Sequence, residues 1–240
     1  CTSPHLQATS TPTQSPTQLP TQTLLLITPT IDFVRTEPTK DAIYPPYDET
    51  FTIESHSTKL NVAIYFAGGE GLHPVVILLH GYPGFSRLVD LAQAVRRAGY
   101  SALVLDYRGF WGTGGTFSFQ NSLEDVAEVL AWVRAPGNAV SRHLDSSRIA
   151  LVGHSFGGWL ALMSAAEETE NDCVASLAGW NVGWEAKLWK SNSGLKDYML
   201  STFTATTDPD SGPIQANPED LINEMADHAD QWDFLSAAST

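Results

Sequence analysis

"IALVGHSFGGWLALMSAA" (149–166) decides the reading of this chain. Aliphatic residues from Ile149 to Val152 run into Gly153, and an alanine-rich helical pattern follows almost at once. Between the two stands Ser155, with Gly153 two positions before it and Gly157 two after. A buried strand that turns straight into a helix pushes its corner residue out of the sheet and strains that residue's backbone. Side chains two positions either side of the corner would collide with the neighbouring strand and helix, which calls for glycine at 153 and 157. Gly158 then allows close helix packing. A serine hydroxyl is a weak nucleophile that needs a base, and the corner exposes it to base and substrate together. The helix starting at Phe156 turns its free N–H groups toward the place where an oxyanion would form.

The flanking sequence supplies the context that this corner requires. "HPVVILLHG" (73–81) and "YSALVLDYRG" (100–109) are continuous apolar runs ending in polar or glycine-rich loops, the pattern of strands buried on both faces. "TFTIES" and "KLNVAIYFA" alternate like a hairpin. "RLVDLAQAVRRAG" (87–99) carries Leu88, Leu91, Ala92 and Val95 at helical spacing and stops at Gly99. "SLEDVAEVLAWVRA" (122–135) predicts a second helix, with Ser122 and Asp125 as a capping box. "ETENDCVASLAGW" (168–180) leads into a fourth buried strand, in which Cys173 reads as a small buried hydrophobe. Strands alternating with helices predict an α/β fold: a mostly parallel sheet with helices on both faces.

"LLHGYPGFS" (78–86) is the second functional stretch. It follows a buried strand and precedes a helix. Acyl transfer needs two N–H donors aimed at a tetrahedral oxyanion. The expected donors are the backbone N–H groups of Phe156, just after the serine, and of Tyr82, in the loop after His80 and Gly81. His80 itself is expected to brace that loop.

On "HGYPG" (80–84), "LVLDYRGFWGTGG" (103–115), "DSSRIALVGHSFGG" (145–158) and their order, the chain resembles the α/β-hydrolase superfamily, over about residues 50 to 182. It looks most like the serine esterase and prolyl-oligopeptidase-like members. The resemblance implies an α/β-hydrolase fold and a cofactor-free serine hydrolase of carboxylic esters or peptides. It also implies that Asp106 and Arg108 brace a loop. Phe110, Trp111 and Phe117 either line an acyl pocket or simply pack the loop. Dehalogenases and epoxide hydrolases of the superfamily carry an aspartate where this chain has Ser155.

The superfamily order is serine, then acid, then histidine. After "VASLAG" no further buried strand is evident. Asp208, Asp210, Asp227, Asp230 and Asp233 follow Ser155, and His228 is the single histidine after it. "PEDLINEMADHADQWDFL" reads as an amphipathic helix, so these acids form a solvated face and His228 is only a fallback base. The acid and histidine, with the sheet's last strands, are expected after Thr240. A chain without them keeps only the residual catalysis of an oxyanion hole. Residues 184–240 read as a helical, cap-like insertion, with Trp180, Trp184, Trp189 and Tyr198 as its apolar underside.

Composition bounds the partners. The chain has 240 residues, 42% hydrophobic, with a formal net charge of -14, which disfavours nucleic acid and anionic lipid as partners. The seven histidines are scattered, and no metal-ligand spacing is present. Eighteen of the first 23 residues are Thr, Ser, Pro or Gln and none is charged, so 1–30 predicts a disordered tether ahead of a core at 31–183. A first residue Cys1 followed by such a linker resembles a processed bacterial lipoprotein. That resemblance implies lipid on Cys1, an extracytoplasmic place in the cell envelope, and membrane contact through that lipid alone. The expected substrate is a small ester, with a peptide or amide as the alternative. A non-catalytic hydrolase-like binding domain is the reading from a different class.

Overall fold

A computed structural model describes residues 32–167, 173–208 and 210–237; the tether and Cys1 lie outside these. The sheet begins with the hairpin β1 (Tyr47–Ser55) and β2 (Thr58–Phe66), in antiparallel register from Tyr47 opposite Phe66 to Ser55 opposite Thr58. The apolar runs form β3 (His73–Leu79), β4 (Ser101–Leu105), β5 (Leu144–His154) and β6 (Cys173–Leu177). β3 pairs in parallel with β4 on one side and β5 on the other, and β6 joins β5 in parallel. The resulting order is β1-β2-β4-β3-β5-β6.

Alternation along β3 explains why helices cover both faces. Val75, Ile77 and Leu79 join one apolar cluster, and Val76 and Leu78 join the other. The second cluster is closed by α1 (Val89–Arg97) through Ala92, Leu91 and Val95. The first is closed by α2 (Phe119–Arg134) and α4 (Phe156–Glu167), with short α3 (Pro136–Ser141) leading into β5. Leu88 stands one place before α1 as its N-cap, in a left-handed conformation, and Gly99 with φ 92 ends the helix as its sequence suggests.

The chain leaves β3 for α1 and β4, and returns past β3 to reach β5. Strand order therefore reverses about β3, and ligand crevices in open α/β sheets lie at the carboxyl ends of strands where this happens. The loops after β3 and β5 both sit there.

Three sequence expectations about α2 and β6 are corrected. The capping box is not Ser122 with Asp125. The N-cap of α2 lies four residues earlier, where Ser118 accepts from Asn121 N–H at 3.0 Å, and Ser122 only donates back to Ser118 O. Asp125 is instead fully buried and accepts from Ser55 Oγ, from Arg108 N–H and from Arg108 Nε at 2.6–2.8 Å. Burial pushes its carboxyl up despite these donors. The fourth strand, β6, is half exposed, because among the described residues nothing pairs with its outer side; Val174 and Leu177 face solvent. Cys173 shares that edge and is exposed rather than buried.

The region after β6 is helical: α5 (Val182–Leu188), α6 (Ser193–Thr206), α7 (Pro218–Asp227) and α8 (Phe234–Ala237). It is tied to the rest by polar as well as apolar contacts. The Glu224 carboxylate accepts from Phe119 and Gln120 N–H, both at 2.9 Å, so α7 caps the positive end of α2. Phe110 and Ile214 form an isolated antiparallel bridge. Trp159 of α4 donates from Nε1 to Trp232 O at 2.9 Å, with the two ring systems 5.3 Å apart. The apolar underside is not the expected aromatic set. Trp189 is buried and Trp180 half-buried, but Trp184 and Tyr198 face solvent, and Met199, Phe203, Ile222, Met225 and Trp232 fill the contact. No helix among the described residues is long and apolar enough to cross a membrane.

Candidate active site

Ser155 occupies the corner between β5 and α4 with φ 54, in the left-handed region that a non-glycine residue enters only at a cost. Such strain is worth about 1–3 kcal/mol and persists only where the surroundings hold it. Here they hold both backbone groups. Ser155 N–H donates to Leu177 O at 3.0 Å, and Ser155 O accepts from Trp180 N–H at 2.9 Å, so the segment leaving β6 grips the corner. A Cβ added at Gly153 would overlap the carbonyl of Gly157, and one at Gly157 would overlap that of Leu79. Gly158 is similarly confined by Ser176 and Gly179. Ser155 is half-buried, and its Oγ has no hydrogen bond among the described residues.

The loop after β3 lies against this corner. A Cβ at Gly81 would come within 3.1 Å of Ser155 Cβ and 3.2 Å of His154 O. Among the described residues, neither Tyr82 N–H nor Phe156 N–H is engaged in a hydrogen bond. Phe156 N–H belongs to the first turn of α4, which has no acceptor within its own helix. The structure therefore sets the loop that carries Tyr82 against the corner formed by Ser155 and Phe156.

His80 braces the loop, as its sequence context suggests. It is buried to 1% exposure against the rings of Tyr107 and Phe110. Its Nδ1 faces Gly81 O at 2.8 Å, and its carbonyl accepts from Tyr107 O–H at 3.0 Å. Burial lowers its pKa to about 4, so the ring is neutral near pH 7 and donates to Gly81 from Nδ1. Tyr82 is anchored from the opposite side by a hydrogen bond to Thr206 of α6, and burial pushes its phenol up to about 12. Asp106 pairs with Arg87 at 2.7 Å, and Arg108 with Asp125 and Glu124, so both act in the structure as braces.

Phe110 and Phe117 are fully buried in an aromatic cluster with Tyr82, Tyr107 and Phe156, which makes them loop packing rather than pocket lining. Trp111 is different: it is 39% exposed, at the rim of a cleft.

No acid or histidine among the described residues bonds to Ser155. His228 ends α7, with Nδ1 on Glu224 O at 3.0 Å and its ring stacked on Trp232 at 4.3 Å. Asp233 is committed elsewhere. Burial opposes its charge, but hydrogen bonds from Asn181, Lys187, Ser236 and Leu235 outweigh this and bring its pKa down to about 2. Asp208 accepts from its own turn, and Asp230 pairs with Lys187. Among the described residues no cluster of His, Cys, Asp and Glu could hold a metal ion. Sequence reasoning missed the grip of Leu177 and Trp180 on Ser155, because hydrogen bonds to backbone leave no residue signature.

Comparison with known proteins agrees with this architecture. The alpha/beta hydrolase family model matches residues 76–239. A protein of Escherichia coli described as an uncharacterized 31.7 kDa protein in the traX-finO intergenic region is 29% identical over 158 residues, 63% of this chain and 54% of its own. Protein phosphatase methylesterase 1 of Bos taurus is 32% identical over 135 residues, 55% of this chain and 32% of its own. Among solved structures, the alpha/beta hydrolase GrgF from Penicillium sp. sh18 superposes with a TM-score of 0.51 at 19% identity, over 71% of this chain and 57% of that one. The chain thus spans about half the length, or less, of the curated relatives named.

Proposed function

We propose that this chain, which belongs to the α/β-hydrolase family, is a serine hydrolase that cleaves carboxylic esters through an acyl-enzyme on Ser155. One observation carries the reading. Ser155 is held with φ 54 at the strand-to-helix corner, its backbone gripped on both sides and its Oγ unengaged among the described residues. Strain of this kind is retained where a reacting atom must be presented.

In the proposed reaction Oγ attacks the ester carbonyl and its proton passes to a base. The carbonyl oxygen becomes an oxyanion facing Phe156 N–H and Tyr82 N–H. The intermediate collapses, the alcohol leaves with the proton, and water then releases the acid from Ser155. Among the described residues no histidine or carboxylate is hydrogen-bonded to Ser155 to take that proton. The methylesterase among the relatives supports an ester over a peptide, which the same machinery would also cleave.

A second reading, a hydrolase-like binding domain, is favoured by the lack of any histidine or carboxylate hydrogen-bonded to Ser155 among the described residues. Labelling with a fluorophosphonate separates the two, since the probe reacts only with an activated serine. It should be run on the 240-residue chain and on the natural gene product, each with its Ser155→Ala variant. Labelling of the gene product that disappears in the variant is the expected result. Absence of labelling in every form would favour binding. Labelling of the 240-residue chain would make His228 the first residue to test as base. Where labelling occurs, turnover of nitrophenyl esters against prolyl amides then assigns the substrate class.

A further inference from the structure

A cleft of about 550 Å3 is walled on one side by the loops after β3 and β4 and on the other by α6 and the segment after it. Its lining includes Phe85, Trp111, Thr113, Thr206, Ser211 and Pro213, and none of the described lining residues is charged. Phe85 is 77% exposed and Trp111 39%, and the two rings meet edge to face at 5.8 Å.

Trp111 is built into this position at a cost. Its φ is 44, a left-handed conformation that a bulky residue rarely adopts. Its indole is fixed by a hydrogen bond from Nε1 to Pro83 O at 3.1 Å, and its backbone N–H donates to Pro213 O at 3.0 Å. Gly84 leaves it room, since a Cβ there would lie 2.6 Å from Trp111 Nε1. The same short loop touches Ser155 at Gly81 and Trp111 at Gly84. Three peptide units, at most about 11 Å of chain, separate these contacts. A strained, solvent-facing indole pinned to the loop that reaches the nucleophile is a platform for a ring.

We propose that the cleft binds the ring of an uncharged aromatic ester and so sets the substrate class at Ser155. The assignment of the ring to a substrate rests on the serine-hydrolase reading above. The described lining offers ring faces and hydroxyl groups but no cation, and a chain of net charge -14 repels carboxylated or phosphorylated compounds.

The test uses equilibrium binding of 1-naphthol, followed by its own fluorescence, so that it does not depend on turnover. Wild type and Ser155→Ala should bind equally. Trp111→Ala should weaken binding about fivefold to tenfold, and Trp111→Phe should restore most of it. Ala205→Trp on the exposed face of α6, which fills the cleft without touching the core, should abolish binding. Unchanged affinity in Trp111→Ala and Ala205→Trp would overturn the proposal, as would failure of the wild type to bind. Binding lost in these variants without fluorophosphonate labelling in any form would leave the ring site standing and remove its link to hydrolysis.

Discussion

Gly153 and Gly183 are two places where one backbone runs directly against another. At Gly153, near the end of β5, an added Cβ would overlap the carbonyl of Gly157, four residues on across the corner in α4. At Gly183, in α5, it would overlap Asp233 N and sit 2.5 Å from Ala229 O, far downstream in the chain. The first contact closes a tight corner and keeps Ser155 strained. The second seats α5 on the segment between α7 and α8. Close approach thus serves two ends here, storing strain at a reactive position and fastening the later helices.

That contrast predicts unequal penalties. Gly157→Ala drives a Cβ into the carbonyls of Leu79 and His80 at the carboxyl end of β3, a strand paired on both sides. A loss above about 4 kcal/mol, or no soluble protein, is expected in urea unfolding. A well-folded Gly157→Ala protein would show that the corner is looser than described.

Gly183→Ala should cost less, about 1–3 kcal/mol, because α5 is short and can shift to relieve the overlap. Its urea midpoint should fall while fluorophosphonate labelling, if present in wild type, survives. A penalty equal to that of Gly157→Ala would erase the distinction between the two contacts.

The smallest effect concerns pH. Asp233, beside the Gly183 contact, has a pKa of about 2 in the folded protein against an ordinary 3.8. The unfolded chain therefore takes up this proton first as acid is added. The stability from this carboxylate is complete above about pH 4 and is lost as pH falls toward 2. Asp233→Ala should lower the urea midpoint at pH 6 and converge with wild type near pH 2. A gap that persists at that acid limit would mean that the side chain acts by packing rather than charge.

How much of this was legible in the sequence follows from the range over which each feature is determined. The β3, β4 and β5 runs and the Ser155 corner are local: aliphatic runs, glycine spacing and the next helix lie within a few residues of each other. Gly183 carries no such signal, since its partners Ala229 and Asp233 are remote. The start of α2 is ambiguous in sequence, because Ser118 and Ser122 each stand directly ahead of an apolar residue, Phe119 or Leu123, and either could cap. What separates them is tertiary: Asp125 has a partner in Arg108 that no helix rule supplies, and Phe119 is buried. Cys173 escapes sequence reasoning because burial of a strand depends on what lies beside it. Trp184 and Tyr198 escape it for a similar reason: aromatic content marks a helix as able to pack, not which side does so.

The contact between Trp159 and Trp232 has an optical consequence. Two indoles 5.3 Å apart, with planes inclined at 74°, couple their electronic transitions and give a paired positive and negative band in ultraviolet circular dichroism. One partner sits on α4 directly behind Ser155, the other between α7 and α8. The couplet is therefore a built-in ruler, present while the last helices rest on α4 and extinguished when they lift away.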